Sequence, residues 1–228
     1  MRHQTTTKFA RRLLGTAAAA ALALVLFAPA GAIDGILEAR SPADGLAQSH
    51  DAWLDGLKGK HRQLFDAPQP EGGIPLVHIM NYYDTYNKAY SVPDKDLNAV
   101  LTFYGATTFY GLNDAMWAKY KLGEFMKTDD PATTKPTVRN LWRAEPTVIG
   151  MKLPQASVES LQKRGATFIV CNNALTIFAG LVAQARQLDA QAVYADMKAN
   201  ILPGVTLVPA MVIAIEKAQE RGLAYHRQ

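Results

Sequence analysis

The amino-acid sequence predicts an α/β fold, a three-layer sandwich around an open, mostly parallel sheet of about five strands. Two observations support this prediction. Predicted strands and helices alternate along the chain from residue 74 onward, and we find no internal repeat. The strands are near-continuous apolar runs rather than strict alternations, a pattern typical of parallel strands that are covered on both faces.

The segment that precedes this alternation differs from it in composition. Residues 33–73 are rich in Gly, Ala and Asp and end in the loop sequence DAPQPEGG. We expect this N-terminal extension to contain one helix near residues 49–60, with Ser49 as its cap. The α/β domain is then predicted to cover residues 74–228.

Within that domain the elements can be predicted in order. The predicted strands are IPLVHIMN (74–81), LNAVLTFYG (97–105), a short TVIGMKL (147–153), ATFIVCN (166–172), GVTLVPA (204–210) and a last short LAYHR (223–227). The predicted helices cover residues 82–90, 111–124, 154–165, 175–199 and 210–222. In residues 111–124 the apolar residues are spaced three or four apart, and residues 154–165 have Pro near the start and Gly at the end, as helices prefer. The polar, proline-containing segment 127–146 predicts a long surface loop.

The N-terminus resembles a secretory leader. Basic residues at positions 2, 8, 11 and 12 precede an apolar run at 17–28 and the small-residue sequence AGA at 30–32. The apolar run is shorter than the roughly 20 residues that span a membrane. We therefore expect residues 1–32 to be a signal peptide and the mature protein to be periplasmic or secreted. The pair Arg11–Arg12 also resembles a twin-arginine export signal, and an ordinary leader with two arginines is the alternative.

The charge of the chain excludes one class of partner. Residues 1–32 contain four of the 24 Lys and Arg and none of the 20 Asp and Glu, which leaves 20 basic and 20 acidic residues in the remainder. The basic residues of that remainder are scattered singly. This distribution does not favour nucleic-acid binding, and we expect no membrane association after cleavage of the leader.

The only cysteine of the chain, Cys171, ends a predicted strand. Ligands of open α/β sheets bind outside the carboxyl ends of the strands, and the N-terminus of the following helix favours an ionised thiol. Asn172 or Asn173 can cap that helix and donate a hydrogen bond to the sulfur. The alternative is a buried cysteine that acts as a small hydrophobic residue.

The ends of the other predicted strands supply further candidate binding residues. These are Asn81, Tyr104, Gly105 and Pro209. Because the carboxyl ends of parallel strands lie at one edge of the sheet, we expect these residues to surround Cys171.

Four stretches resemble a known family. The sequences GATFIVCNNAL (165–175) and ILPGVTLVPAMVIAIEKAQERGLAY (201–225), together with VLTFYG and GLNDAMWAKY, are similar to the DsrE/DsrF-like sulfur-relay family and its exported branch. The resemblance covers roughly residues 74–225. It implies a DsrE-like fold, a homo-oligomer and, by position, a persulfide on Cys171. The two asparagines after the cysteine and the long N-terminal extension depart from the sulfur-relay members.

Other sites have less support. His78 and Met80 are two apart in the predicted first strand, and with Cys171 they form a possible soft-metal set suited to copper. No zinc pattern and no nucleotide-binding fingerprint is present, and we expect no cofactor.

Two function hypotheses follow. The first is an exported sulfur carrier that accepts sulfane sulfur on Cys171 from a donor protein or a small sulfur compound and passes it on. The second is a non-catalytic periplasmic binding or assembly subunit in which Cys171 is buried.

Overall fold

A computed structural model describes residues 50–228. The predicted leader and most of the N-terminal extension lie outside these residues. The helices are α1 (Ala52–Asp55), α2 (Ile74–Tyr90), α3 (Asp114–Lys119), α4 (Leu122–Met126), α5 (Val158–Lys163), α6 (Asn172–Arg186), α7 (Ala190–Ala199) and α8 (Met211–Glu220). The strands of the main sheet are β1 (His61–Asp66), β2 (Leu97–Phe103), β7 (Thr167–Cys171), β8 (Val205–Val208) and β9 (Ala224–Arg227).

Five strands form one parallel sheet in the spatial order β8-β7-β2-β1-β9. Four strands therefore follow one another across the sheet, and the last strand returns to the far side of β1. The fold class predicted from the sequence is confirmed. Short 3₁₀ turns at Glu71–Gly73, Asp94–Asp96, Gly105–Gly111 and Pro154–Ala156 connect several elements.

The two faces of this sheet carry different helices. On one face, which we call face A, Phe65, Leu101 and Val170 pack against helices α2 to α7. On the opposite face, face B, Leu64 and Ile169 pack against α1 and α8. The earlier connections between strands run across the sheet in one direction, and the connection from β8 to β9 runs in the opposite direction. Because each crossover is right-handed, this reversal places α8 on the opposite face of the sheet from the helices of the earlier crossovers.

The first strand of the sheet is not the predicted one. Residues 74–81 begin helix α2, in which Leu76, Ile79 and Tyr83 are buried at helical spacing, and Pro75 lies at its start, where its missing N–H costs nothing. The strand is instead β1, which begins at His61 inside the predicted N-terminal extension. Its first three residues are polar, so it lacks the apolar run used to predict strands. The predicted domain boundary at residue 74 is therefore wrong, since β1 pairs with both β2 and β9.

Several predicted elements are shorter than expected. The helix expected at residues 49–60 is the four-residue α1, preceded by Asp51 as its N-cap residue, and Ser49 lies outside the described residues. The helix expected at 175–199 is interrupted at Gln187, which has a left-handed φ of 55° and separates α6 from α7. The helix expected at 111–124 is interrupted in the same way at Lys121, with φ 49°, between α3 and α4.

Two short hairpins complete the fold. The polar segment 127–146 contains the two-residue strands β3 (Asp129–Asp130) and β4 (Lys135–Pro136), which pair antiparallel. The short strand predicted at 147–153 is the hairpin of β5 (Thr147–Val148) and β6 (Met151–Lys152). No helix within residues 50–228 combines the length and the apolar character that crossing a membrane requires.

Candidate functional site

Two backbone N–H groups converge on the sulfur of Cys171. The N–H of Ala174, in the first turn of α6, lies 3.4 Å from Sγ, and the N–H of Met211, the first residue of α8, lies 3.3 Å from it. Cys171 is itself the N-cap residue of α6. Because helix N-termini carry partial positive charge and unpaired N–H groups, both helices favour negative charge at this sulfur.

The position of Cys171 in the sheet explains this convergence. Cys171 ends β7 and lies opposite Val208, which ends β8. The helix after β7 packs on face A, whereas the helix after β8 packs on face B. Adjacent strands whose connections diverge in this way form the topological switch point at which open α/β sheets bind ligands. The sulfur lies at that switch point, as an acceptor for both helices.

The sulfur is nevertheless well covered. Cys171 is 5% exposed and belongs to the face B cluster with Ile169, Val208 and Met211. Only a small reagent can therefore reach Sγ without a movement of the neighbouring chain.

The residues after Cys171 have different roles from those predicted. The amide oxygen of Asn172 accepts a hydrogen bond from the hydroxyl of Tyr194 at 2.7 Å, and so this side chain is held by α7. Asn173 is exposed, and its backbone N–H donates to the carbonyl of Pro209 at 3.3 Å, which joins the loops after β7 and β8. The predicted capping by Asn172 or Asn173 is wrong, because the sulfur occupies the cap position.

Tyr104 and Gly105 lie at the end of β2, as predicted. Tyr104 packs against the face B cluster that contains Cys171. Gly105 adopts a left-handed φ of 58°, and a Cβ at this position would lie 3.0 Å from the carbonyl oxygen of Pro68. Gly105 therefore permits close approach of the chain after β1 rather than leaving space beside the sulfur.

Sequence reasoning missed a buried carboxylate at the same edge. Asp66 ends β1, is 2% exposed and accepts hydrogen bonds from the hydroxyls of Thr102 at 3.3 Å and Tyr225 at 2.6 Å. Burial and the nearby carboxylate of Asp66 raise the pKa of Tyr104, and the hydrogen bond to Asp66 and then burial raise that of Tyr225. Both phenols therefore stay protonated near neutral pH. In the sequence, the only local signal for this residue is an Asp directly before a Pro-containing loop.

The remaining predicted site residues do not meet Cys171. Asn81, His78 and Met80 lie on helix α2 rather than at or in a strand. Met80 packs against the face A core, whereas Cys171 belongs to face B. The copper set predicted from a shared strand face is therefore wrong. Across residues 50–228 no three His, Cys, Asp or Glu side chains are grouped closely enough to hold a metal ion.

His78 and Asn81 instead line a cavity of about 520 Å³ on face A. It lies between helix α2 and the edge of the sheet formed by β1 and β9. Three tyrosines that are spaced four apart on α2 also line this cavity: Tyr82, Tyr86 and Tyr90.

Comparison with known proteins gives no family. No protein-family model matches the chain, and no curated protein matches it. A solved structure that it resembles is that of the protein of unknown function MTH1491 from Methanobacterium thermoautotrophicum, with 16% sequence identity and a TM-score of 0.36. The match covers 74% of this chain and 99% of the other. The function of that protein is itself unknown, and the match assigns no activity to this chain.

Proposed function

We propose that this chain is an exported DsrE-like protein that carries sulfane sulfur as a persulfide on Cys171. One observation supports this proposal above the others: the sulfur accepts hydrogen bonds from the first turns of two helices at the switch point of the sheet. Thiolates are the nucleophiles of sulfur transfer, and N–H donors stabilise a thiolate more than a thiol.

The transfer requires no external oxidant. The Cys171 thiolate attacks the outer sulfur of a donor persulfide, R–S–SH. A new S–S bond forms at Cys171 while the S–S bond of the donor breaks, and the donor leaves as the thiol R–SH after taking up the proton lost by Cys171. The sulfane sulfur keeps its oxidation state throughout. Return of the sulfur to an acceptor thiol is the reverse of the same exchange.

The burial of Cys171 favours a small donor. Because Cys171 is only 5% exposed, its sulfur is more accessible to the terminal sulfur of a low-molecular-weight persulfide than to a folded donor protein. The exposed residues Asn173 and Pro209, whose backbones are hydrogen-bonded to each other, form the outer boundary of the approach to the sulfur. The inner sulfur of the persulfide stays in contact with the same two N–H groups.

Intact-mass measurement tests this proposal. The chain without residues 1–32 is incubated with cysteine persulfide, and we expect an adduct of about 32 Da, the mass of one sulfur atom, that dithiothreitol removes. The matched control is Cys171→Ser, which keeps a hydrogen-bond acceptor at the same place. Absence of the adduct on the wild type, or an equal adduct on the serine variant, would contradict the proposal. The mass of the protein purified from an exporting host tests removal of residues 1–32.

The second candidate is a non-catalytic binding or assembly subunit with an inert cysteine. The packing of Cys171 among Ile169, Val208 and Met211 favours it. Thiol titration with a small aqueous reagent separates the two candidates. Reaction of the folded protein within minutes supports sulfur transfer, whereas reaction only after denaturation supports the binding subunit.

A further inference from the structure

Two apolar side chains are exposed in the first turn of α8. Val212 is 70% exposed and Ile213 is 47% exposed. Both follow Met211, which is buried and donates its N–H to the sulfur of Cys171. We call these two side chains the α8 apolar surface. Single exposed apolar residues are common on proteins, but this adjacent pair lies at the start of the helix that contacts the sulfur.

Helix α1 lies alongside α8 and runs in the same direction. Asp51 forms an ion pair with Lys217, and Asp55 forms one with Arg221 at 3.3 Å. The partners are four residues apart on both helices, so the start of α1 lies toward the start of α8. Ile213 precedes Lys217 by four residues and therefore lies on the same side of α8, one turn closer to its start.

The chain before α1 consequently leads toward the sulfur. Lys217 follows Met211 by six residues, which is about 9 Å along the helix axis. An extended chain rises about 3.3 Å per residue, so three residues before Asp51 are enough to reach the level of Met211. Residues 33–47 are then left for the edge of the sheet at which Cys171 lies.

The segment that precedes the described residues has side chains suited to this surface. Residues 33–49 read IDGILEARSPADGLAQS and contain the large apolar residues Ile33, Ile36, Leu37 and Leu46. Within residues 50–228, face B is covered by the four-residue α1 and the ten-residue α8, whereas six helices pack on face A. Face B therefore has space for a further covering segment.

We propose that residues 33–49 dock on the α8 apolar surface and cover the approach to Cys171. Docking removes from water the two side chains, Val212 and Ile213, that residues 50–228 leave exposed. It also covers the sulfur, because the first turn of α8 follows Pro209, which bounds the approach to Sγ. A second copy of the chain is the other occupant that such a surface accepts. The tethered segment is favoured over it, because tethering gives an effective concentration of about millimolar.

This inference concerns access to Cys171 rather than the transfer of sulfur. Alkylation of the thiol reports its access without formation of any persulfide. A failure of persulfide formation therefore leaves the inference standing, and a failure of docking leaves the proposed function standing.

Photo-crosslinking tests the docking. The chain without residues 1–32 carries benzoylphenylalanine in place of Val212, an exposed position that accepts a larger side chain. We expect irradiation to link this position to residues 33–49, in a product that keeps the mass of one chain. The same group in place of Leu188 is the matched control. Leu188 is 50% exposed between α6 and α7 on face A, and it should give no such link.

The rate of alkylation by iodoacetamide tests whether the segment covers the sulfur. The double variant Val212→Ala with Ile213→Ala keeps every backbone N–H and loses most of the α8 apolar surface. We expect its Cys171 to react about tenfold faster than that of the wild type, because less apolar area is buried on docking. Leu188→Ala removes an exposed apolar side chain elsewhere and should leave the rate unchanged.

A second variant tests the segment itself. Ile36→Asn with Leu37→Asn removes two adjacent apolar side chains and leaves residues 50–228 as they are. We expect the same increase in the rate of alkylation as for the double alanine variant.

Three results would overturn the inference. They are a crosslink from position 212 to a second chain, the absence of any crosslink from that position to residues 33–49, and alkylation of both double variants at the wild-type rate. Circular dichroism establishes that each variant is folded. The variant in residues 33–49 keeps the alkylation test valid if the double alanine variant is not folded.

Discussion

The N–H of Met211 is a donor that can be removed without removing the sulfur it contacts. Met211 is the first residue of α8, a position at which proline is favoured because the N–H has no partner within the helix. The preceding residue, Ala210, is extended at φ −145° and ψ 131°, which is the conformation required before proline. Met211→Pro should therefore keep the backbone geometry at the start of the helix while deleting one of the two donors to Cys171. The Cδ of its ring takes the place of the N–H hydrogen, so the sulfur must also turn away from it.

The matched variant is Met211→Ala, which loses the same side chain and keeps the N–H. Loss of the buried Met211 side chain costs about 2–5 kcal/mol in both variants, and this cost cancels in the comparison. Hydrogen bonds to charged groups contribute about 1.5–3 kcal/mol. The contact is 3.3 Å long and its acceptor is sulfur, so we expect the lower end of that range, close to the 1.4 kcal/mol that corresponds to a factor of ten.

The assay is the rate of alkylation of Cys171 by iodoacetamide, followed by intact mass near neutral pH. We expect the proline variant to react about threefold more slowly than the alanine variant, because about tenfold weaker stabilisation of the thiolate is partly offset by the greater nucleophilicity of a less stabilised sulfur. Equal rates near neutral pH would refute the reasoning that the start of α8 stabilises the thiolate. A proline variant that reacts faster than the alanine variant would show that a change in access to the sulfur outweighs the loss of the donor.

Two further predictions concern stability. Arg164 donates hydrogen bonds to Asp84 at 2.6 Å and to Asp94 at 2.9 Å. Burial opposes ionisation of both carboxyls, but the guanidinium of Arg164 outweighs this effect and holds their pKa values below the usual 3.8. Arg164→Met should cost about 1–2 kcal/mol of unfolding free energy in urea near pH 7, because the carboxyls are 37% and 33% exposed and water screens the pairs. This loss should shrink toward about pH 2, where the wild type also loses the pairs as its carboxyls become protonated. An equal loss at both pH values would contradict the prediction. Gly123→Ala should prevent normal folding, since its Cβ would lie 2.2 Å from the backbone oxygen of Thr137, and a thermal transition close to that of the wild type would show this reasoning to be wrong.

The fold class could be predicted from the sequence because most strands of this sheet are short apolar runs followed by helices. The exception is β1, whose sequence HRQLFD is polar in its first half. It lies next to the edge strand β9, and His61 and Gln63 line a cavity that is open to solvent, so these residues need not be apolar. The apolar run that follows, from Ile74, buries Leu76, Ile79 and Tyr83 along one side of a helix. Length alone did not distinguish this helix from a buried strand.

The position of Cys171 could also be predicted, but its partners could not. The run of apolar residues before it and the helix after it are local features of the chain. The donor from Met211 is 40 residues away in sequence, and it meets the sulfur only because β7 and β8 pair in parallel with Cys171 opposite Val208. The cavity depends in the same way on the return of β9 to β1, which places His226 beside Phe65. Sequence periodicity does not specify such pairings.

The choice of cysteine at this cap bears on its function. Helix N-caps prefer Ser, Thr, Asp or Asn, whose oxygens accept hydrogen bonds more strongly than sulfur does. Two asparagines directly follow Cys171, yet the sulfur receives both N–H groups. Cys171→Ser improves the acceptor and adds a buried hydroxyl proton, so we expect the free energy of unfolding to change by no more than about 1 kcal/mol. Stability then does not explain why this position holds a cysteine rather than a serine. The reactivity of the sulfur explains it, because a serine hydroxyl lacks that reactivity. A loss of more than about 2 kcal/mol in the serine variant, measured by urea unfolding, would instead make the sulfur a packing group of face B.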